Sequence, residues 1–229
     1  MLSSLLSLFM FNAAAVDIPK ADYRRPELES YSLPTSDFRF PSGLRLLIQI
    51  DSSQPVIAIT SVIDRGSEAD PESLDGIAHV VEHLAFRANH NGIKNWDLVK
   101  QMGGVINAST TVDWTNYMTI APKDALIPLM RLEVLRLKDG LANISERDVI
   151  TESEIARNEK RMRYASSAAI SAALDVIGEQ LYPEGHPYSR TVIGTHETIG
   201  NISLESVKKF VEDNYKPELT TLMVVGDIT

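Results

Sequence analysis

The chain has 229 residues, 44% of them hydrophobic and 23% charged, enough to bury a core in one large domain or two small ones. The formal net charge is -9 and no Lys/Arg cluster stands out, which argues against a nucleic acid partner, because phosphate binding needs a basic patch. There is no cysteine, so disulfides and thiolate metal sites are excluded and any metal must be held by His, Asp or Glu.

The first segment, MLSSLLSLFMFNAAAVD, has an apolar run from Leu2 to Phe11 followed by small residues at Ala13 and Ala15. It fits a secretory signal peptide over residues 1–15, cleaved after Ala15, although no Lys or Arg precedes the run. The mature chain is accordingly expected to be secreted or periplasmic. No stretch reaches the roughly 18 apolar residues of a membrane span. Residues 16–36 are polar and proline-bearing, a lead-in to a folded domain expected over 37–229.

That domain opens with FRFPSGLRLLIQID, two strand pieces around a Pro-Ser-Gly turn, and PVIAITSVID, a β-branched strand. RGSEADPESLDG is a loop. A helix carrying HVVEH follows, then a short helix, Trp96 to Met102, with Asn95 as N-cap and Gly103-Gly104 as its stop. VINASTTVDWTNYMTIAP alternates like one or two strands. Asp124 to Lys138 has a helical pattern that tolerates Pro128 only in its first turn. Ser145 and Asp148 form a capping signal for a helix starting at Glu146 and running past Arg163, with SSAAISAALDVIGEQLY as a further helix. HPYSRTVIGTHETIGNIS is a loop, LESVKKFVEDNY a one-faced helix and LTTLMVVGDI a last strand. Strands and helices mix without strict alternation, which predicts an α+β fold: an open, mostly antiparallel β-sheet with helices packed on it.

The chemistry concentrates in HVVEH. Residues four apart share a helix face, so His79 and His83 can point at one ion. Each would offer an imidazole nitrogen at about 2.0–2.1 Å from zinc. Glu82 lies beside that face and can take a proton from a metal-bound water, whose pKa zinc lowers to about 7. Burying three such groups on an apolar helix without a metal would be costly.

HxxEH is the inverted form of the HExxH zinc motif. With GSEADPESLDGIAHVVEHLAF, GGVINAST, ERDVITESEI, HPYSRTVIGTHETIGNIS and NYKPELTTLMVVGDI in the same order, the chain resembles the N-terminal half-domain of the pitrilysin/insulinase family of zinc metallopeptidases, over roughly Phe38 to Thr229. The resemblance implies a zinc-dependent endopeptidase acting on peptides or unfolded proteins, with His79 and His83 as ligands to Zn2+ and Glu82 as general base. It implies a third ligand from a later glutamate in an E-x6-E pattern. Counted from Glu146 that pattern falls on Ser153, so Glu154 is favoured as ligand if one residue is inserted and Glu152 is the alternative if one is deleted. Glu146 would then stand as an acid behind the ligands. It also implies that the strand bearing Asn107, Ala108 and Ser109 pairs with substrate backbone. A second homologous half-domain or subunit, supplying an Arg and a Tyr, would complete the site. The rival is a non-catalytic or partner-dependent subunit with a structural or peptide-binding role. His90, His186 and His196 have no spacing that links them to His79 and are expected to be structural.

Overall fold

Strong period-2 alternation marks the sheet, and its deepest strands carry it best. In the computed structural model, which describes residues 34–90, 92–183 and 185–228, strand β3 (Val56–Ile63) buries Ile57, Ile59, Ser61 and Ile63 and leaves the residues between them half-buried or exposed. The described residues fall in one compact unit. The segment read as a signal peptide, and the lead-in up to residue 33, lie outside them.

The elements run in chain order as β1 (Thr35–Arg39), β2 (Arg45–Ile50), β3, α1 (Ile77–Arg87), β4 (Asn89–His90), β5 (Ile93–Lys94) and α2 (Asn95–Gln101). They continue with β6 (Val105–Thr110), β7 (Thr115–Pro122), α3 (Leu126–Asp139), α4 (Glu146–Leu181), α5 (His196–Gly200), α6 (Leu204–Asn214) and β8 (Thr220–Gly226). Six strands form one sheet in the order β1-β2-β8-β3-β7-β6, while β4 and β5 make a small separate hairpin. Only the β2–β8 pair of the large sheet is parallel; its other neighbours are antiparallel. The expected α+β class with a mostly antiparallel sheet is therefore observed. The first strand starts at Thr35, so the sheet already includes the end of the expected lead-in.

Register assigns the faces. Ile106, Thr119, Ile59 and Val224 lie in one cross-strand row, and Ala108, Tyr117, Ser61 and Leu222 in the next. Both rows face the helices and carry the core. The opposite face has Val105, Ile120, Ala58 and Val225 in a row, with Val105, Met118 and Ile120 exposed.

Helix α1 lies on the covered face beside β6. Ile77, Ala78, Val80, Val81, Leu84 and Ala85 are all buried, which leaves it apolar nearly all round and wedged against α4, α6 and β6. Its N-cap is Gly76, whose φ of 95° is open to glycine at little cost. Gly76 meets the loop at Gly194 backbone to backbone: a Cβ on Gly194 would stand 2.0 Å from the Asp75 carbonyl oxygen. Asp70 then caps the helix from a distance, its Oδ2 accepting from the Gly76 amide at 2.7 Å and its Oδ1 from the Ala78 amide at 3.1 Å. Burial pushes the Asp70 carboxyl up to about 7 against those two donors. Asp70→Ala leaves buried amides without an acceptor and is expected to cost about 1–3 kcal/mol in urea unfolding, with Asp70→Asn recovering part of that loss.

Three local expectations change. The two helices expected after Ser145 are one 36-residue helix, because no glycine or proline interrupts the alanine-rich stretch before Gly178. Its start is as read: Ser145 and Asp148 form a capping box before Glu146. The segment expected as a loop after His186 contains a 3-10 turn (Pro187–Ser189) and α5, capped by Thr195 with Thr198. Asn95 is the first residue of α2 rather than its cap, and its side chain donates to the Ala85 carbonyl at 2.9 Å. Among the described residues no helix is long and apolar enough to cross a membrane.

Candidate metal centre

His79, Glu82 and His83 lie within little more than one turn of α1, so the core that fixes the helix fixes all three. His79 and Glu82 are buried, while His83 is partly open. Across from them runs α4. From that helix Glu159 brings Oε2 to 3.4 Å from His79 Nε2 and 3.7 Å from His83 Nε2. Among the described residues, His79, His83 and Glu159 form the one group of three metal-ligating side chains whose donor atoms lie within 4.8 Å of one another.

The set fits a zinc ion. Ligands at about 2.0–2.1 Å in a tetrahedron stand about 3.3 Å apart, close to the two nitrogen–oxygen separations, and two histidines with one glutamate leave a fourth position open. Both imidazoles offer Nε2, and His83 has its other nitrogen, Nδ1, 3.0 Å from Glu152 Oε2. A hydrogen on Nδ1 donated to that carboxylate fixes the tautomer that presents the Nε2 lone pair to an ion. Glu152 also accepts from Arg87 Nε, which holds the carboxylate from behind. Glu82 accepts from the Thr110 hydroxyl at 2.5 Å through Oε2.

The charges agree with a cation site. A hydrogen bond from His79 outweighs burial and holds the Glu159 carboxyl down to about 2. Burial raises Glu152, but its bonds to His83 and Arg87 leave it below the ordinary glutamate value. Burial lowers His83, yet Glu152, joined by Glu82 and Glu159, more than compensates and raises it. Three carboxylates thus surround two imidazoles, a field that favours positive charge between them.

Neither glutamate expected as the third ligand reaches the two Nε2 atoms; Glu159 stands there instead. Glu154 points away: its carboxylate pairs with Arg157 and its side chain is half exposed. Helical geometry gives the reason. Residues 152 and 159 are two turns apart and share a face, whereas residue 154 is rotated about 200° from 152 at 3.6 residues per turn. Ile150, four residues before Glu154 and on the same side of the helix, is 65% exposed and marks that side as the outward one. Glu152, the alternative ligand, holds His83 from behind. Glu146, expected in that supporting place, is the first residue of α4 and lines a groove with Lys208 and Glu212 of α6. Glu159 had a signal in the sequence: ESEIARNE is itself E-x6-E when the count starts at Glu152.

Strand β6 lies at the edge of the sheet, beside α1. Of the three residues expected to meet substrate, Ala108 faces the core under α1, while Asn107 and Ser109 are exposed on the other side. Asn107 folds back so that its Oδ1 accepts from the Ala108 amide at 3.0 Å. A cleft of about 480 Å³ runs from Glu82, His83 and Glu152 past Phe86 and Trp96 to Asn107. The remaining histidines stay apart from the cluster: His186 Nδ1 accepts from the Tyr188 amide, and the His196 carbonyl accepts from Arg157.

Fold and cluster together define a half-domain with an inverted zinc motif on a helix buried against a six-stranded sheet. Residues 45–195 match the model of insulinase (peptidase family M16), and the chain belongs to that family. It is 29% identical over 204 residues to the zinc protease PqqE of Helicobacter pylori, covering 87% of this chain and 45% of that protein. It is 28% identical over 172 residues to a probable mitochondrial-processing peptidase subunit beta of Schizosaccharomyces pombe, covering 73% and 36%. The crystal structure of a protease from Helicobacter pylori superposes with a TM-score of 0.76 at 28% identity, covering 87% of this chain and 48% of that one. The fold also matches the first half of the periplasmic protease PqqL from Escherichia coli (TM-score 0.72, 22% identity, 85% and 43% covered). A structure described as the peptidase M16 inactive domain from Pseudomonas fluorescens matches too (TM-score 0.76, 16% identity, 86% and 47% covered). The chain spans about half the length of the curated relatives it matches.

Proposed function

We propose that this chain is the zinc-binding half of a metallopeptidase that hydrolyses peptide bonds, with His79, His83 and Glu159 as ligands to Zn2+ and Glu82 as general base. The observation that carries the reading is the convergence of two imidazole Nε2 atoms on one carboxylate oxygen beside a buried glutamate. When bound, zinc supplies Lewis acidity, polarising a carbonyl and lowering the pKa of water to about 7. Glu82 takes up the proton released from the attacking water and passes it to the leaving amine. The Thr110 hydroxyl occupies its Oε2 and leaves Oε1 for that work. Glu152 and Arg87 keep His83 in one tautomer and one orientation.

Substrate, an extended or unfolded peptide, would add to the free edge of β6 at Asn107, Ala108 and Ser109, reading main chain before side chains. The Asn107 carboxamide would swing off the Ala108 amide to admit it. A second homologous half-domain or subunit completes the enzyme in this reading. Support comes from the half-length matches and from the exposed apolar side chains of Val105, Met118 and Ile120 on the sheet face opposite the helices. Export to the periplasm or beyond is part of the proposal, on the apolar N-terminal run and the periplasmic relative.

The test is direct. The purified chain should bind one zinc ion and cleave an unstructured peptide in a chelator-sensitive way. Glu82→Gln should keep the metal and lose about 10²–10⁴-fold in rate, the range for a removed general base. Absence of zinc uptake would sink the ligand assignment. A second reading, a partner-dependent or non-catalytic subunit, draws on the inactive relative and on the mitochondrial relative's designation as a subunit. Zinc uptake without cleavage would favour it, and cleavage that appears only with a second half would specify partner dependence.

A further inference from the structure

Arg163 follows Glu159 by one turn of α4 and donates from Nη2 to Glu159 Oε1 at 2.5 Å. The other oxygen, Oε2, is the one that faces His79 and His83. The two oxygens of this carboxylate thus have different partners. We infer that Arg163 is a positioning residue for metal binding: it clamps Oε1 of Glu159 so that Oε2 alone is aimed at the ion. The inference rests on the reading of His79, His83 and Glu159 as the ligand set.

The three ligands differ in what holds them. His79 is walled in by the core, and His83 is fixed through Glu152 and Arg87. Glu159 stands on the solvent side, its side chain 33% exposed, and ordering a long glutamate there costs rotamer entropy. A guanidinium at i+4 is well spaced to impose that order before the ion arrives. The neighbouring cations are engaged elsewhere: Arg161 donates to Asn158 and Lys160 lies over the Tyr164 ring. The guanidinium also repels a cation, so the sign of the measured effect separates clamping from repulsion.

The experiment measures zinc affinity of the full chain by competition with a chromogenic chelator, with helix content followed by circular dichroism. Arg163→Ala should bind zinc about tenfold more weakly, the lower end of the range for residues that orient ligands. Arg163→Lys, which keeps a donor and a charge, should stay within about threefold of the unmodified chain, and Arg161→Ala should match it. Equal or tighter binding by Arg163→Ala overturns the clamp, as does a lysine variant as weak as the alanine one. If the unmodified chain takes up no zinc, the ligand reading falls and the clamp with it. If it binds and Arg163→Ala binds equally, only the clamp falls.

Discussion

Glu159→Ala is expected to lower zinc affinity by more than about 100-fold, beyond the 10–100-fold that loss of a supporting residue costs. Glu154→Ala is expected to change nothing. The contrast follows from where the two carboxylates point. Glu159 Oε2 completes a set of three donors at spacings that suit a tetrahedral ion, and its loss leaves two histidines with two open positions. Glu154 is on the outward face, paired with Arg157, an exposed bond of small energetic weight. Glu152→Ala should fall between them, inside the 10–100-fold range, because it removes the acceptor that fixes the His83 tautomer and leaves Arg87 only its longer pair with Asp148. Isothermal titration of the three variants with zinc would rank them. The order Glu159, Glu152, Glu154 supports the geometry; zinc lost with Glu154→Ala and kept with Glu159→Ala would overturn it.

The same residues mark how far the sequence could be read. HVVEH was legible because a helix converts a spacing of four into a shared face, whatever the rest of the fold does. The strands β3, β6, β7 and β8 were legible by alternation, and the start of α4 by its cap. The acid facing the two histidines was harder to find, because it required choosing among five, Glu146, Asp148, Glu152, Glu154 and Glu159, spread over four turns. Periodicity within α4 says that 152 and 159 share a face, but not that this face is the inward one. That is decided by α1 packing across α4, a contact between segments some seventy residues apart. Sheet order was hidden for a related reason. The last strand, β8, inserts between β2 and β3, strands adjacent in sequence that never pair, and no local pattern announces such an insertion. The two helices read after Ser145 join into α4 because alanine, the strongest helix former, carries the helix across the serines between them.

Arg136→Met is expected to destabilise the domain by about 3–5 kcal/mol, the penalty for leaving a buried charge without its partner. Arg136 is 1% exposed and Glu133, one turn before it on α3, is 3% exposed. The guanidinium donates from Nε to Glu133 Oε2 at 3.0 Å, and the same oxygen accepts from the Ser61 hydroxyl at 2.6 Å. Arg136 also lies 3.9 Å over the ring of Tyr117, whose hydroxyl meets that of Tyr215 at 2.7 Å. The pair therefore ties α3 to the centre of β3 and β7 beneath α1. Removing the arginine leaves a buried carboxylate with the Ser61 hydroxyl but no cation, and for a domain of this size the melting midpoint should drop by roughly 6–20 °C. Glu133→Leu alone should cost a similar amount, since it strands the guanidinium instead. The double variant Glu133→Leu/Arg136→Met removes both charges while keeping volume, so its cost should be well below the sum of the two single losses. Chemical denaturation of the four proteins measures the coupling. Strict additivity would mean that the two charges are not sharing one desolvated site, and the account of this core given by their burial and bond lengths would fail.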